Sequence, residues 1–278
     1  MSMAVVALVS IKGSPGVTTA ALALAGAWRS RPCVLLECDP AGGDLAPSLG
    51  LPVTPGLVSL AATVRQSPDP AQVGQHAATL PSGLRVVVAP VGAEQARVTV
   101  DALGQSQLVA SLAHASDVAA VADGGRLDPE SPVMPVLRQA TVVLVCLRPR
   151  RSDLAHLAPR AETLRDLPGA GLVLIGPGEF SGAEISGTLR MPIAVHLPKD
   201  PHGARLLLSA GLRKGTAMLP LVRAARSFAD RLAVSPALDS IESSSTAGDA
   251  RPGQRLVPPA AWGTARPLPA KAGGTGCE

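Results

Sequence analysis

Tyrosine is absent from this 278-residue chain, and phenylalanine and tryptophan occur twice each. Aromatics supply 1% of residues against a hydrophobic content of 46%, so a sizeable core has to be built from tightly packed Leu, Val and Ala. Cysteine is scarce too. Cys33, Cys38, Cys146 and Cys277 form no C-x-x-C pair, and the first three fall in or beside apolar runs. They read as packing residues of a reducing compartment, not as disulfides or metal ligands. The five histidines, His76, His114, His156, His196 and His202, have no metal-ligand spacing. No Gly-x-Ser-x-Gly elbow and no Cys/His pair suggests a covalent nucleophile. No run reaches the roughly 18 uninterrupted apolar residues of a membrane span. The start, "MSMAVVALVSIKGS", lacks the basic region and the long apolar run of a secretory signal. A soluble, cytoplasmic protein is expected. The net charge of +4 is too mild to indicate a nucleic-acid partner by itself.

What is present is alternation. Apolar runs at 3–10, 33–38, 84–90, 117–123, 141–147, 171–176 and 192–197 read as strands buried on both faces. Helical patterns fit between them at about 17–29, 57–66, 94–114, 131–139, 153–166, 181–189 and 201–210, with a last one at about 216–233. That order predicts an α/β fold, a doubly wound and mostly parallel sheet of about seven strands with helices on both faces. One domain over 1–233 is expected, followed by a tail over 234–278 rich in Pro, Gly, Ala and Ser. The tail reads as disordered, with Trp262 as its one large apolar group. There is no internal repeat.

In an open parallel sheet, ligands bind outside the carboxyl ends of the strands at the switch point. The stretch "VSIKGSPGVTTAALALAGAW" places a glycine loop there, between the first strand and an Ala/Leu helix. Gly13 and Gly16 permit backbone conformations that turn successive N–H groups toward an anion, and the helix N-terminus reinforces them. Thr18, followed by Thr19, is placed to offer a hydroxyl to Mg²⁺. A plain glycine turn joining strand to helix is the bland alternative.

This loop resembles the deviant Walker A loop of the ParA/MinD family of P-loop ATPases, K-G-G-x-G-K-[ST]. Lys12 matches the family's signature lysine, which the resemblance implies reaches phosphate across a nucleotide-sandwich dimer. Gly13 and Gly16 match the glycines, Thr18 the magnesium residue, and Ser14 replaces a glycine. Val17 stands where the family has its Walker lysine. The resemblance extends to "VLLECDPAGGDLA", where Asp39 takes the position of the aspartate that orients the attacking water and Glu37 an acidic position before it. In "VAAVADGGRLD", Asp123 takes the Walker B position, a carboxylate near Mg²⁺, and Gly124 or Gly125 would present an N–H to the γ-phosphate. In "MPIAVHLPKDPHGARLLLSAG", Pro198 and Asp200 match a late segment beside the adenine, while "LIGPG" lacks the asparagine that contacts the base. The implied cofactors are ATP or ADP and Mg²⁺.

A Walker lysine spreads charge as the phosphoryl group leaves, and one such preorganised contact is worth about 3–4 kcal/mol, or roughly 10²–10³ in rate. With Val17 in its place, backbone N–H groups and Mg²⁺ still favour binding, but turnover should be slow or absent. Arg148, Arg150 and Arg151 follow a strand at the same sheet edge. They are read either as a solvated basic turn or as a phosphate or DNA contact. Two functions are implied. One is a nucleotide-dependent homodimeric switch that positions cargo through a partner of a partitioning or pilus/secretion apparatus. The other is a non-hydrolysing localisation scaffold like the TadZ/CpaE pilus-assembly branch. A DNA-binding partition role rests on the mild basic balance, while "GARLLLSAGLRKG", an apolar face edged by Arg205, Arg213 and Lys214, reads as a core-facing helix or as a contact with a membrane surface or DNA, which would make the location peripheral.

Overall fold

The computed structural model describes residues 5–12, 15–128, 130–211 and 214–234. Gly13 and Ser14 of the glycine loop, and the tail with Trp262 and Cys277, lie outside the described residues. The first half of the chain runs β1 (Val5–Ser10), α1 (Val17–Ala27), β2 (Cys33–Glu37), α2 (Leu45–Leu49), α3 (Leu57–Val64), β3 (Ala78–Thr79), β4 (Arg85–Val87), α4 (Ala93–Gln105) and α5 (Leu108–His114). The second half runs β5 (Ala119–Arg126), α6 (Met134–Gln139), β6 (Val142–Leu147), α7 (Arg151–Leu157), α8 (Ala161–Arg165), β7 (Gly171–Ile175), α9 (Gly182–Leu189), β8 (Ile193–Leu197), α10 (Pro201–Ala210) and α11 (Pro220–Val234).

The eight strands form one sheet in the order β3-β4-β2-β5-β1-β6-β7-β8. All neighbours are parallel except the two-residue edge strand β3, which pairs antiparallel with β4. The seven expected strands are all there, and β3 is the addition. Parallel pairing requires crossovers, and the helices that make them cover both faces. Strand periodicity divides the core accordingly. Val5, Ala7 and Val9 of β1 face the layer holding α3 to α9, whereas Val6 and Leu8 face the layer holding α1, α2, α10 and α11. β2, β5 and β6 alternate in the same way, and the buried residues are overwhelmingly Leu, Val and Ala, as the lack of aromatics requires.

Two expected helices are broken. The pattern at 94–114 divides at Ser106 and Gln107, where the Ser106 hydroxyl donates to the Leu103 carbonyl and Gln107 takes φ 63°. A serine that competes for backbone partners ends a helix readily. The pattern at 153–166 divides into α7, a 3₁₀ turn over Ala158–Arg160 and α8. Pro159 has no N–H to continue the α-helical ladder.

After β1 the chain crosses to β2 on one side, and after β5 it crosses back over β1 to β6 on the other. The loops after β1 and β5 therefore part company above the middle of the sheet. That crevice is where an open α/β sheet takes a ligand.

Candidate functional site

The crevice is lined by residues that the sequence scatters over more than a hundred positions. Gly16 immediately precedes α1 with φ 110° and ψ 38°, a conformation open to glycine and strained for any side chain. Its carbonyl accepts the Ala20 N–H at 2.9 Å, so α1 begins within the loop and points its free N–H groups into the crevice. Thr18 and Thr19 are half-buried on the first turn. Val17 is different. Its side chain is 6% exposed and belongs to the core layer beneath α1, with Leu8, Ala21 and Leu144. The position that would carry a phosphate-binding cation is instead a core position.

β5 delivers Asp123 to the same place. Positions 119, 121 and 123 share the α1 face of the strand, and Asp123 is completely buried there beside the Thr18 hydroxyl. Burial raises the Asp123 pKa from 3.8 to about 7. The Thr18 hydroxyl and the Gly125 N–H oppose that shift, while the charges of Glu37 and Asp39 add to it. Asp123 Oδ1 accepts the Gly125 N–H at 3.1 Å, but Oδ2 has no hydrogen-bond partner. A buried carboxylate oxygen without a partner is costly. It is an oxygen suited to a hard cation or to a water bound to one. With the adjacent Thr18 hydroxyl it fits Mg²⁺, whose sites commonly combine one or two protein oxygens with waters and phosphates. Among the described residues no cluster of three or more His, Cys, Asp and Glu side chains could hold a metal without such help.

Asp39 closes the far side. Its Oδ1 accepts the Ala41 N–H at 2.8 Å, and the carboxylate rests against Gly125, where any side chain would overlap it. Burial raises the Asp39 pKa, against the Ala41 hydrogen bond. Glu37 is closer in sequence to these groups than in function. Its Oε1 accepts the Asp44 and Leu45 N–H groups at 2.7 and 2.8 Å, and Oε2 accepts Ala89 N–H at 2.8 Å. It ties the end of β2 to the start of α2 and the end of β4. Burial raises its pKa against those three bonds. The acid in "VLLECD" was visible in the sequence, but this structural use of it was not.

Several expected site residues have other occupations. Gly125 gives its N–H to Asp123, and Gly124 packs so closely on Val9 and Val133 that a methyl group would overlap them. Asp200 caps two helices at once, accepting from Gly203 N–H at 2.8 Å and Leu221 N–H at 3.3 Å, and Pro198 is half-buried just before it. Lys12 is exposed, with Nζ 2.7 Å from His156 Nε2 on α7. No sequence signal links residues 144 positions apart. Arg151 lies over the Phe180 ring at 5.7 Å, the Arg148 N–H donates to Asp153 at 3.0 Å, and Arg150 is exposed. Burial drives the Cys33 thiol up to about 12 and raises Cys38 and Cys146 as well, so all three are unreactive packing groups. Among the described residues no helix is long and apolar enough to cross a membrane.

A doubly wound, mostly parallel sheet with a left-handed glycine, a helix N-terminus and two carboxylates at its switch point defines a three-layered α/β domain. Comparison with solved structures narrows the fold. A ParA family ATPase from Chlorobium tepidum superposes with a TM-score of 0.66 at 16% identity, over 82% of this chain and 98% of the other. The septum site-determining protein MinD of Pyrococcus horikoshii, solved with Mg-ADP, gives 0.62 at 17% identity, over 87% and 99%. MinD of Aquifex aeolicus, solved in complex with MinC, gives 0.62 at 15% identity, over 89% and 99%. The chain has the fold of the ParA/MinD ATPases. No family model matches the sequence, and no curated protein matches it either.

Proposed function

We propose that the chain is a ParA/MinD-like protein that binds ATP or ADP with Mg²⁺ and acts as a dimerising positioning switch with weakened hydrolysis. One observation carries the reading. Thr18, Asp123 and Asp39 converge on the crevice beside the α1 N-terminus, and Asp123 holds a buried oxygen without a partner. In this reading the N–H groups of the first turn of α1 bind phosphate oxygens. Thr18 and Asp123 hold Mg²⁺, which would neutralise phosphate charge. Asp39 orients the water that attacks the γ-phosphate, Lys12 reaches the phosphates of a second protomer, and Pro198 and Asp200 border the base. The homodimer is nucleotide-dependent and addresses a partner protein of a partitioning or secretion apparatus, as MinD is solved with MinC.

The burial of Val17 favours a second reading of the same site. A core valine offers neither charge nor donor to the leaving phosphoryl group, which removes about 3–4 kcal/mol of transition-state stabilisation. Such a protein binds nucleotide and does not turn it over, and serves as a scaffold of the Flp/Tad pilus type.

Calorimetry with ATP and ADP, with and without Mg²⁺, run beside phosphate-release assays, separates these outcomes. Binding that requires Mg²⁺, with slow release raised by Val17→Lys, supports the switch. Binding with no release in either protein supports the scaffold. Absence of heat with both nucleotides rejects the site.

A further inference from the structure

The loss of a cation at residue 17 is accompanied by an exposed cation at the carboxyl end of β5. β1 and β5 pair in plain parallel register from Val5↔Ala120 to Leu8↔Asp123, and then Ser10 pairs with Arg126. β1 advances two residues over that interval and β5 advances three, so β5 carries one extra residue. This is a β-bulge, with Gly125 at φ 58° within it.

An extra residue reverses the phase of everything that follows it. Without the bulge, position 126 would follow 120, 122 and 124 onto the face of α5 and α6, where Gly124 meets Val9 and Val133. With it, Arg126 shares the face of its partner Ser10, which continues the series Val6 and Leu8 on the α1 side. Leu127 confirms the shifted phase, because its side chain is buried in the opposite layer. The bulge therefore places Arg126 on the sheet face that carries α1 and Asp123, at the carboxyl end of β5.

The backbone that presents it is fixed on every side. The Leu127 N–H donates to the Ser10 carbonyl at 2.7 Å, and the Leu127 carbonyl accepts Arg160 Nη1 at 2.9 Å. Asp128 pairs with Arg97 of α4 at 3.9 Å. Arg126 itself is exposed, and among the described residues its side chain has no hydrogen-bond or ion-pair partner. A free guanidinium on a clamped strand end, on the same sheet face as Asp123, is well placed for a polyanion. Its planar fork suits phosphate oxygens.

We infer that Arg126 binds the phosphate chain of the nucleotide in its own protomer and supplies the positive charge that Val17 does not. This rests on the nucleotide-binding reading above and adds a specific ligand group to it.

The test is MgATP affinity by calorimetry on the full chain, for the wild type, Arg126→Ala, Arg126→Gln, Arg126→Lys and the double variant Val17→Lys/Arg126→Ala. Loss of a charge-assisted contact to phosphate should weaken Arg126→Ala and Arg126→Gln by roughly 10- to 100-fold. Arg126→Lys should keep most of the affinity, and the double variant should recover it. The thermal midpoint of Arg126→Gln should match the wild type, since the side chain is exposed. Wild-type affinity in both neutral variants overturns the inference and leaves the nucleotide site standing. So does an equal loss in Arg65→Ala, an exposed arginine at the end of α3. A wild type that binds no nucleotide overturns the site and the inference together.

Discussion

The carboxylate of Asp39 rests on the α-carbon of Gly125, so closely that a methyl group at residue 125 would overlap it. Gly125 also has φ 58°, and its N–H is bonded to Asp123. One residue thus sets the spacing of both carboxylates. Gly125→Ala should cost roughly 1–3 kcal/mol from the left-handed backbone and the overlap together. It should also displace Asp39 and weaken MgATP binding. Thermal melts and calorimetry on the same sample check both effects. A variant with wild-type melting and wild-type affinity would show that the contact has no part in the site.

Glu37 offers a contrasting prediction, because its acid is spent on the scaffold. Three backbone N–H groups end on its carboxylate, from Asp44, Leu45 and Ala89. Glu37→Ala leaves all three without their acceptor and should destabilise the fold by about 3 kcal/mol or more. Glu37→Gln keeps one carbonyl oxygen for Asp44 and Leu45 but turns an NH₂ group toward the Ala89 N–H. Its loss should be smaller but measurable by urea denaturation. Equal stability of Glu37→Ala and the wild type would refute the structural role.

Much of this architecture is written locally. Runs such as "CVLLEC" and "TVVLVCL" are apolar at every position, and only a strand covered on both faces can bury them all. The glycine loop announces itself because Gly16 must adopt a left-handed backbone before a helix. Asp39 and Asp123 were legible as acids closing apolar strands. What was not legible depends on register. Arg126 changes face through a single inserted residue, and a strand pattern read alone carries no record of its partner's phase. Lys12 and His156 meet only because β1 and β6 are neighbours, a fact of topology. Val17 looked like a damaged phosphate ligand, and its burial in the core layer of α1 emerged only with the helix docked. β3 was missed for a simpler reason, since two residues give no periodicity to read.

The Lys12 ammonium and the His156 ring hold each other on the surface at 2.7 Å. In the dimeric switch Lys12 has to leave this contact to reach a second protomer. An exposed polar pair of this kind is worth about 0.2–1 kcal/mol. His156→Ala should therefore favour the ATP-dependent dimer by a few-fold at most, while leaving the affinity of the monomer for MgADP unchanged. Lys12→Ala should remove the dimer. Sedimentation at matched concentrations distinguishes them, and a dimer weakened by His156→Ala would instead place the histidine within the interface.

The sharpest pH dependence belongs to Asp123. Its pKa is raised by burial from 3.8 to about 7, so the folded protein without metal favours the protonated acid more than the unfolded chain does. Stability from this group is fully present below about pH 4 and falls as the pH rises to about 7, beyond which the loss is complete. At 1.36 kcal/mol per pKa unit the loss is bounded by about 4 kcal/mol. Asp123→Asn has no charge to bury. In the absence of Mg²⁺ and nucleotide it should melt higher than the wild type at pH 8, with the difference closing toward pH 4. Adding MgADP should reverse the order, because a ligand that binds only the folded state stabilises only the protein able to hold it. Melting curves across pH 4–8 test the sign directly. If the wild type gains stability relative to Asp123→Asn as pH rises in metal-free buffer, the carboxylate is not the strained group that the crevice geometry makes it.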